Sequence, residues 1–217
     1  MLALFETAVA GEPSTLAALH EKAVNGDAGA QFALGNALAE GSGLAKDLAQ
    51  AAQWYRRAAV NGMPEAQFNL GVMYAGGIGV TQDHGMAAVW FLRAASQGMA
   101  EAQFNLGTLF AEGEGVPPDR AEAAKWYRKA AEQGYAEAQC NLGVMYCNGD
   151  GVARDLIEAH VWFHAATANG DSSARTNLAR IEAEMTAGQK TAALELARKR
   201  FGHSLNQEPL GAGANHG

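Results

Sequence analysis

Two histidines at helical spacing are the first candidates for chemistry in this chain. His160 and His164 stand four residues apart in the sequence HVWFH, a spacing that places two imidazoles on one helix face and suits a metal ion. No glutamate directly follows the first histidine, and no third ligand is evident nearby. We therefore expect packing or surface histidines, with His164 exposed, and no metal site.

The cysteines Cys140 and Cys147 are the next candidates for reactive side chains. Seven residues of helix rise about 10 Å, which exceeds the Cα separation of about 7 Å that a disulfide allows. No basic residue flanks either sulfur to favour the reactive thiolate. We expect two free thiols, in keeping with a reducing compartment.

Glycine-rich loops recur in the chain and invite comparison with phosphate-binding loops. They stand at residues 41–44, 77–80, 113–116 and 149–152. A phosphate-binding loop follows a β-strand and opens a helix, whereas these loops follow helical patterns. The chain also lacks the nucleophile motifs G-x-S-x-G and S-x-x-K. We therefore predict left-handed turns at these glycines, no enzyme, no catalytic residue and no cofactor.

Composition and charge narrow the class of partner. The 217 residues carry a net charge of −7, and 48% of them are hydrophobic. The acidic net charge argues against a nucleic-acid partner, because a protein that binds nucleic acid needs a basic face to displace counterions. It also argues against a polybasic membrane-surface binder. No apolar run approaches a membrane span, so we expect no membrane insertion. The N-terminus is a poor signal peptide, which favours the cytoplasm and leaves a periplasmic or secreted location open.

The elements that carry these residues repeat with a period of 36 residues. Asn-Gly or Gln-Gly pairs stand at 25–26, 61–62, 97–98, 133–134 and 169–170. Similar segments follow each pair, of which EAQFNLGVMY is typical, and within it Ala66, Leu70 and Tyr74 fall on one helical face. Each unit therefore predicts a helix, a glycine-rich loop, a second helix and a glycine turn.

The second helix of each unit has its own start signal. An aspartate after each glycine-rich loop is placed to cap the next helix, at Asp47, Asp83, Asp119 and Asp155. Small alanines and a tryptophan, such as Trp90, follow on that helix. One hairpin cannot bury its own apolar face, but stacked neighbours can. The sequence thus predicts an all-α solenoid of about five helix-hairpin repeats with helical caps.

These motifs resemble the Sel-one-like repeat, a branch of the tetratricopeptide superfamily. The similarity lies in A-x-x-x-L-G-x-x-Y, at Ala66, Leu70, Gly71 and Tyr74, followed by the G-x-G-V loop, and it extends over residues 25–185. For the fold, the resemblance implies a right-handed α–α superhelix. For function, it implies a scaffold or adaptor that assembles complexes, often signalling or membrane-linked ones.

The expected boundaries follow the repeat. We place an N-terminal helical cap at 1–24, repeats at 25–60, 61–96, 97–132 and 133–168, a partial repeat at 169–185, a C-terminal capping helix at 186–204 and a disordered tail at 205–217. In the first cap, residues 13–24 predict one helix, and residues 2–10 are its expected partner. Asp171 is placed to cap the following helix, and Thr186 and Gln189 have capping-box spacing.

Helical solenoids usually bind partners on the concave side, which the first helix of each hairpin lines. Off the core stripe, these helices carry a row of rings and a row of amides, which offer rigid apolar contact and backbone hydrogen bonds. In related tetratricopeptide modules, similarly placed asparagines hold a peptide backbone. The predicted partner-binding residues are Phe32, Asn36, Glu65, Phe68, Asn69, Val72, Glu101, Phe104, Asn105, Thr108, Glu137, Cys140, Asn141, Val144, Asn177 and Arg180.

A structural alternative for these residues stays open: the rings pack between successive first helices, and the asparagines bond a carbonyl group of a neighbouring helix. Cys140 has its own alternative, small apolar packing. The glutamates of the set favour a partner with positive charge. The second helices instead carry basic side chains, expected to form a solvated outer face with stems over apolar surface or, alternatively, to meet an acidic partner. These are Arg56, Arg57, Arg93, Lys125, Arg128 and Lys129.

The sequence therefore predicts a protein-interaction scaffold or adaptor that binds a partner peptide or protein along its concave groove, in assembling a signalling or cell-envelope complex. A self-associating structural protein, with repeat faces stacking between chains, is the alternative. A hydrolase of the β-lactamase type has been discussed for cysteine-rich members of the family. Those members carry a bridged cysteine pair in each repeat, whereas this chain has two cysteines in all.

Overall fold

The computed structural model describes residues 13–202, and over this range the chain forms α-helices and no β-strand. The predictions for residues 2–10 and 205–217 lie outside the described residues. The chain divides into two compact units, Met1–Pro118 and Asp119–Gly217. The predicted fold class, an all-α arrangement of helical-hairpin repeats, is confirmed. The division into repeats at the stated boundaries stays a prediction.

In its described part, the first unit is built from α1 to α6. Their bounds are α1 Pro13–Val24, α2 Ala28–Glu40, α3 Leu48–Val60, α4 Pro64–Gly76, α5 His84–Ser96 and α6 Ala100–Glu112. Helix α2 packs on α3, and α4 packs on α5, so each pair is a hairpin. We call α2, α4 and α6 first helices, and α3 and α5 second helices. The helix expected over 13–24 is confirmed as α1.

The second unit continues the pattern with α7 to α11. Their bounds are α7 Arg120–Glu132, α8 Ala136–Asn148, α9 Leu156–Ala168, α10 Ser172–Glu184 and α11 Ala187–Phe201. Here α8 and α10 are first helices, and α7 and α9 are second helices. The last helix, α11, packs against α9. The expected caps are confirmed: Asp171 accepts from the backbone of α10, and Thr186 with Gln189 forms a capping box on α11.

The second helices begin where their aspartates predict. The Asp83 carboxylate accepts a 2.9 Å hydrogen bond from the backbone N–H of Met86, and Asp47 accepts one of 2.9 Å from Gln50. Asp119 and Asp155 cap α7 and α9 in the same way. Each carboxylate satisfies an N–H that has no partner within its own helix.

Glycine lets the two helices of a hairpin approach closely. A Cβ built on Gly71 would lie 2.7 Å from the Phe91 ring, which is closer than carbon atoms pack. The loop glycine Gly79 has φ of +68°, and a Cβ there would lie 2.3 Å from the carbonyl oxygen of Leu48. Gly71 thus sets the spacing within a hairpin, and Gly79 sets the spacing of its loop against α3, the second helix of the preceding hairpin.

Within each unit, a buried glutamine joins successive hairpins. Gln67 is 4% exposed, and its Nε2 donates to the carbonyl oxygen of Ala59 at 3.0 Å. Its Oε1 accepts a 2.8 Å hydrogen bond from Gln97, in the turn after α5. Equivalent contacts are made by Gln31 with Ala23 and Asn61, and by Gln139 with Ala131 and Asn169. We call this arrangement the glutamine clamp.

Candidate functional site

The predicted partner-binding residues of the first unit lie on its three first helices and differ in exposure. Exposed residues are Glu65, Val72 and Glu101. Half-buried residues are Phe32, Asn36, Phe68, Asn69, Phe104, Asn105 and Thr108. We call the surface formed by these ten residues the first-helix face. It combines carboxylates with partly accessible rings.

Two aromatic rings of this face rest on the second helix of their own hairpin. The ring of Phe68 lies 5.8 Å from that of Phe91, centre to centre, and Phe32 lies 5.6 Å from Tyr55. Phe91 and Tyr55 are buried, whereas the two phenylalanines keep part of their surface open. Each ring is therefore positioned by the core and remains accessible to a partner.

The asparagines of the face make contacts of their own. Asn36 Oδ1 accepts a 2.7 Å hydrogen bond from the hydroxyl of Tyr55. Burial raises the pKa of Tyr55, although a hydrogen bond with Asn69 acts to lower it. Asn105 Nδ2 donates to the carbonyl oxygen of Glu101 at 2.8 Å. Asn36 thus bonds a tyrosine of its own hairpin, and Asn105 bonds its own helix rather than a neighbouring one. A side-chain amide has two N–H donors and an acceptor oxygen, so each keeps further hydrogen-bonding capacity for a peptide.

In the second unit, most predicted partner-binding residues keep some exposure. Glu137 and Arg180 are exposed, and Asn141, Val144 and Asn177 are half-buried. Glu137, Asn141 and Val144 lie on α8, whereas Asn177 and Arg180 lie on α10. The row of polar and apolar side chains therefore recurs in this unit.

Cys140 is the exception and corrects the prediction that it lines an accessible face. It is 5% exposed, with Sγ 3.4 Å from Ser173 Oγ and 3.8 Å from the Asn177 amide nitrogen. Burial raises the pKa of the Cys140 thiol, although the Ser173 contact acts to lower it. Both cysteines lie on α8 as free thiols, as predicted. Cys140 packs between α8 and α10 and offers a partner no usable surface.

The two histidines also take internal positions. His160 is 1% exposed, with Nε2 2.9 Å from Glu182 Oε1 on α10. The His164 ring stacks on His160 at 6.2 Å and is half-buried, which corrects its expected exposure. Burial lowers the pKa of His164, and the neighbouring His160 lowers it further. Across residues 13–202, no three metal-ligating groups gather into a site.

The basic side chains of the second helices cover aromatic rings, as the sequence predicts. The Arg57 guanidinium carbon lies 4.3 Å from the centre of the Trp54 ring. Arg93 covers Trp90 at 4.5 Å, and Lys129 covers Trp126 at 3.7 Å. These cations are exposed. Their contacts combine cation–π attraction with shielding of the rings from water.

Two features escaped the sequence analysis. The glutamine clamp has a signal, since glutamine recurs at 31, 67, 103 and 139. The second feature is a two-pronged ion pair, in which Arg200 Nη1 and Nη2 each lie 2.7 Å from a carboxylate oxygen of Glu158. Its hydrogen bonds to Arg200 lower the pKa of Glu158. The clamp and the ion pair hold helices together and contribute no chemistry.

No helix within the described range has the length and apolar character to span a membrane. The Sel1 repeat family model matches the chain four times, at residues 28–62, 64–99, 100–135 and 136–171. No curated protein matched the chain.

Solved structures of this family are similar to the chain. A protective antigen of uropathogenic Escherichia coli with an SLR fold is 37% identical over 84% of this chain, with a TM-score of 0.75. A Sel1 repeat protein from Oxalobacter formigenes is 38% identical over 77% of this chain, with a TM-score of 0.70. The matches cover 42% and 49% of those two chains, so this chain spans less than half of either. The Helicobacter pylori cysteine rich protein B is 22% identical, with a TM-score of 0.50, and the match covers 61% of this chain and 96% of that protein. At this identity, the similarity concerns the fold alone.

Proposed function

Because the chain belongs to the Sel1 repeat family, whose members are generally non-enzymatic protein-interaction scaffolds, we propose that it binds a partner peptide or protein along the first-helix face. The proposed setting is the assembly of a signalling or cell-envelope complex. The two free thiols of α8 support a reducing compartment such as the cytoplasm.

The observation that carries the proposal is a stripe of side chains on α4. Glu65, Phe68, Asn69 and Val72 stand at helical spacings of three, four and seven residues, so they share one side of the helix. That side is opposite to the buried side that includes Leu70. Glu65 and Val72 are exposed and Phe68 is partly so. The stripe thus presents a charge and apolar surface together.

The same stripe recurs on the next first helix, α6. Glu101, Phe104, Asn105 and Thr108 occupy the equivalent positions. Carboxylates beside partly open rings suit a partner that alternates basic and apolar side chains. Rings that the core already positions lose little conformational entropy on binding, which favours their use as anchors. We therefore propose a basic, extended partner segment.

A crosslinking pull-down from the native host tests the proposal. The bait variant Phe68→Ala/Phe104→Ala/Asn105→Ala truncates the stripes on α4 and α6. The matched control Val89→Ala/Leu92→Ala truncates exposed apolar side chains on α5. Partners retained by the wild type and the control are expected to be lost from the triple variant. Equal partner recovery by all three baits, each with a wild-type circular dichroism spectrum, would reject the first-helix face as the site.

A charge variant separates the acidic groups from the rings. Glu65→Arg/Glu101→Arg changes only exposed side chains, so we expect the fold to be kept. The thermal midpoint should fall modestly, because both glutamates lie in the first turn of their helices, where a negative charge is favourable. Reversed charge should release a basic partner, since like charges facing each other across an interface cost binding energy. Retention of the same partners by this variant would contradict the proposed basic character of the partner.

A further inference from the structure

A cleft of about 460 Å³ lies in the first unit, over the second helix α3. Ala49, Ala52 and Val80 give it an apolar floor, and Gln53, Arg56 and Arg57 bring polar groups to it. We call it the α3 cleft. It belongs to the second-helix side of the hairpin and contains none of the residues of the first-helix face.

Neutral groups hold both guanidinium groups of the cleft. Arg56 donates from Nη2 to the hydroxyl of Tyr74, and Arg57 lies over the ring of Trp54. Neither contact neutralises a charge. Among the described residues, no carboxylate forms an ion pair with Arg56 or Arg57. The α3 cleft therefore carries two uncompensated positive charges.

The equivalent surface of the second unit carries carboxylates as well as cations. Lys125 Nζ lies 2.7 Å from Glu122 Oε2. In the first unit, the positions equivalent to Lys125 and Glu122 are occupied by the neutral Gln53 and Gln50. Arg128 stands in the register of Arg56 and also donates to a tyrosine hydroxyl, that of Tyr146. The second unit thus supplies a carboxylate beside its cations.

A second carboxylate of the second unit has no counterpart at the α3 cleft. The Arg200 hydrogen bonds, with Arg128 as a further cation, lower the pKa of Glu158. The residues in register with Glu158 in the first unit are the neutral Gln50 and Met86. The second unit therefore carries two carboxylates on this surface, each paired with a further cation, whereas the equivalent positions at the α3 cleft are neutral.

We propose that the α3 cleft binds an acidic segment of a partner protein. Carboxylates of that segment pair with Arg56 and Arg57, and an apolar side chain between them rests on Ala52 and Val80. The first-helix face has the opposite charge, because it presents Glu65 and Glu101. The chain would then hold a basic partner on one surface and an acidic partner on another. This inference does not depend on the proposed function of the first-helix face.

The composition of the cleft favours an acidic peptide over a nucleic acid. Nucleic-acid binding needs a continuous basic surface that neutralises several phosphates, whereas the α3 cleft supplies two cations in a chain of net charge −7. The apolar floor of the cleft favours a ligand with an apolar side chain, which the phosphate backbone of a nucleic acid lacks. A guanidinium group also matches the planar geometry of a carboxylate.

A labelled hexapeptide of sequence EELEEL, with its QQLQQL analogue, serves as the probe in a fluorescence anisotropy titration. We expect EELEEL to bind the wild-type chain at least tenfold more tightly than QQLQQL. Arg56→Gln/Arg57→Gln should weaken EELEEL binding about tenfold, which is the scale of two partly exposed charge-assisted contacts. The matched control Arg128→Gln/Lys129→Gln should change it less than threefold.

A second variant keeps the test independent of folding. Gln53→Glu places a carboxylate in the cleft at an exposed position, and it should also weaken EELEEL binding without a change in thermal midpoint. Equal affinity of the wild type and both cleft variants would overturn the proposal. So would displacement of EELEEL by a six-nucleotide thymidine oligomer or by inorganic phosphate at concentrations no higher than unlabelled EELEEL requires.

Discussion

Gln97, in the turn after α5, donates a 2.8 Å hydrogen bond to the side-chain oxygen of Gln67, 30 residues earlier in the chain. Gln67 donates its own side-chain N–H to the carbonyl oxygen of Ala59 at 3.0 Å. One buried amide thus connects the end of α3, the body of α4 and the end of α5. Apolar packing is non-directional, whereas these hydrogen bonds fix the register between successive hairpins.

Replacing Gln67 with leucine should lower the free energy of unfolding by about 1–3 kcal/mol, because Ala59 and Gln97 lose a buried partner. Urea unfolding followed by circular dichroism measures the change. Gln53→Leu alters an exposed glutamine and should stay within about 0.5 kcal/mol. Equal unfolding free energies for the two variants would show that the clamp adds no stability.

Gly71→Ala should destabilise the chain by about 1–3 kcal/mol, because the added methyl group would lie 2.7 Å from the Phe91 ring. Gly188 is the matched control. It lies in the first turn of α11, where an added Cβ would meet nothing within 4 Å, so Gly188→Ala should stabilise the helix by up to about 1 kcal/mol. Thermal unfolding gives both values, and opposite signs are the expected result. A stabilising Gly71→Ala would disprove the close approach of α4 and α5.

The Arg200–Glu158 pair predicts a dependence of stability on pH. The Glu158 pKa is lowered in the folded chain. The pair therefore gives its full stabilisation above the ordinary glutamate pKa of 4.5, and this stabilisation is lost as the pH falls through the pKa of the folded chain. Arg200→Met should cost about 1 kcal/mol at neutral pH. The cost should shrink toward zero in acid, as urea titrations at neutral pH and at about pH 3 will show. A cost that is unchanged in acid would assign it to packing on Trp162, over which Arg200 lies.

The sequence predicts the local elements of this fold because their signals lie within a few residues. Asp83 caps α5 and Leu70 is buried, as the capping position and the helical period require. The glutamine clamp escapes a local analysis, because Gln67 and Gln97 are 30 residues apart. The recurrence of glutamine every 36 residues is visible in the sequence. The backbone carbonyl group to which each glutamine donates is not.

The exposure of side chains at the candidate sites is harder to predict, because it depends on which side chains of neighbouring helices pack against them. Val89 on α5 and Val161 on α9 hold the same position of the repeat, yet Val89 is 43% exposed and Val161 is fully buried. The difference reflects α11, which packs on α9. The prediction for Cys140 was wrong for a similar reason, because a projection of α8 alone omits Ser173 of α10.

Site-specific photocrosslinking at two matched valines tests the central claim most directly. Val72 on α4 is 37% exposed and belongs to the first-helix face, whereas Val89 on α5 is 43% exposed and does not. With benzoylphenylalanine at each position in the native host, we predict a partner adduct from position 72, absent from position 89 and abolished by Glu65→Arg. An adduct at twice the mass of the chain would support self-association instead. An adduct from position 89 alone, or one from position 72 that survives Glu65→Arg, would contradict the first-helix face as the binding surface.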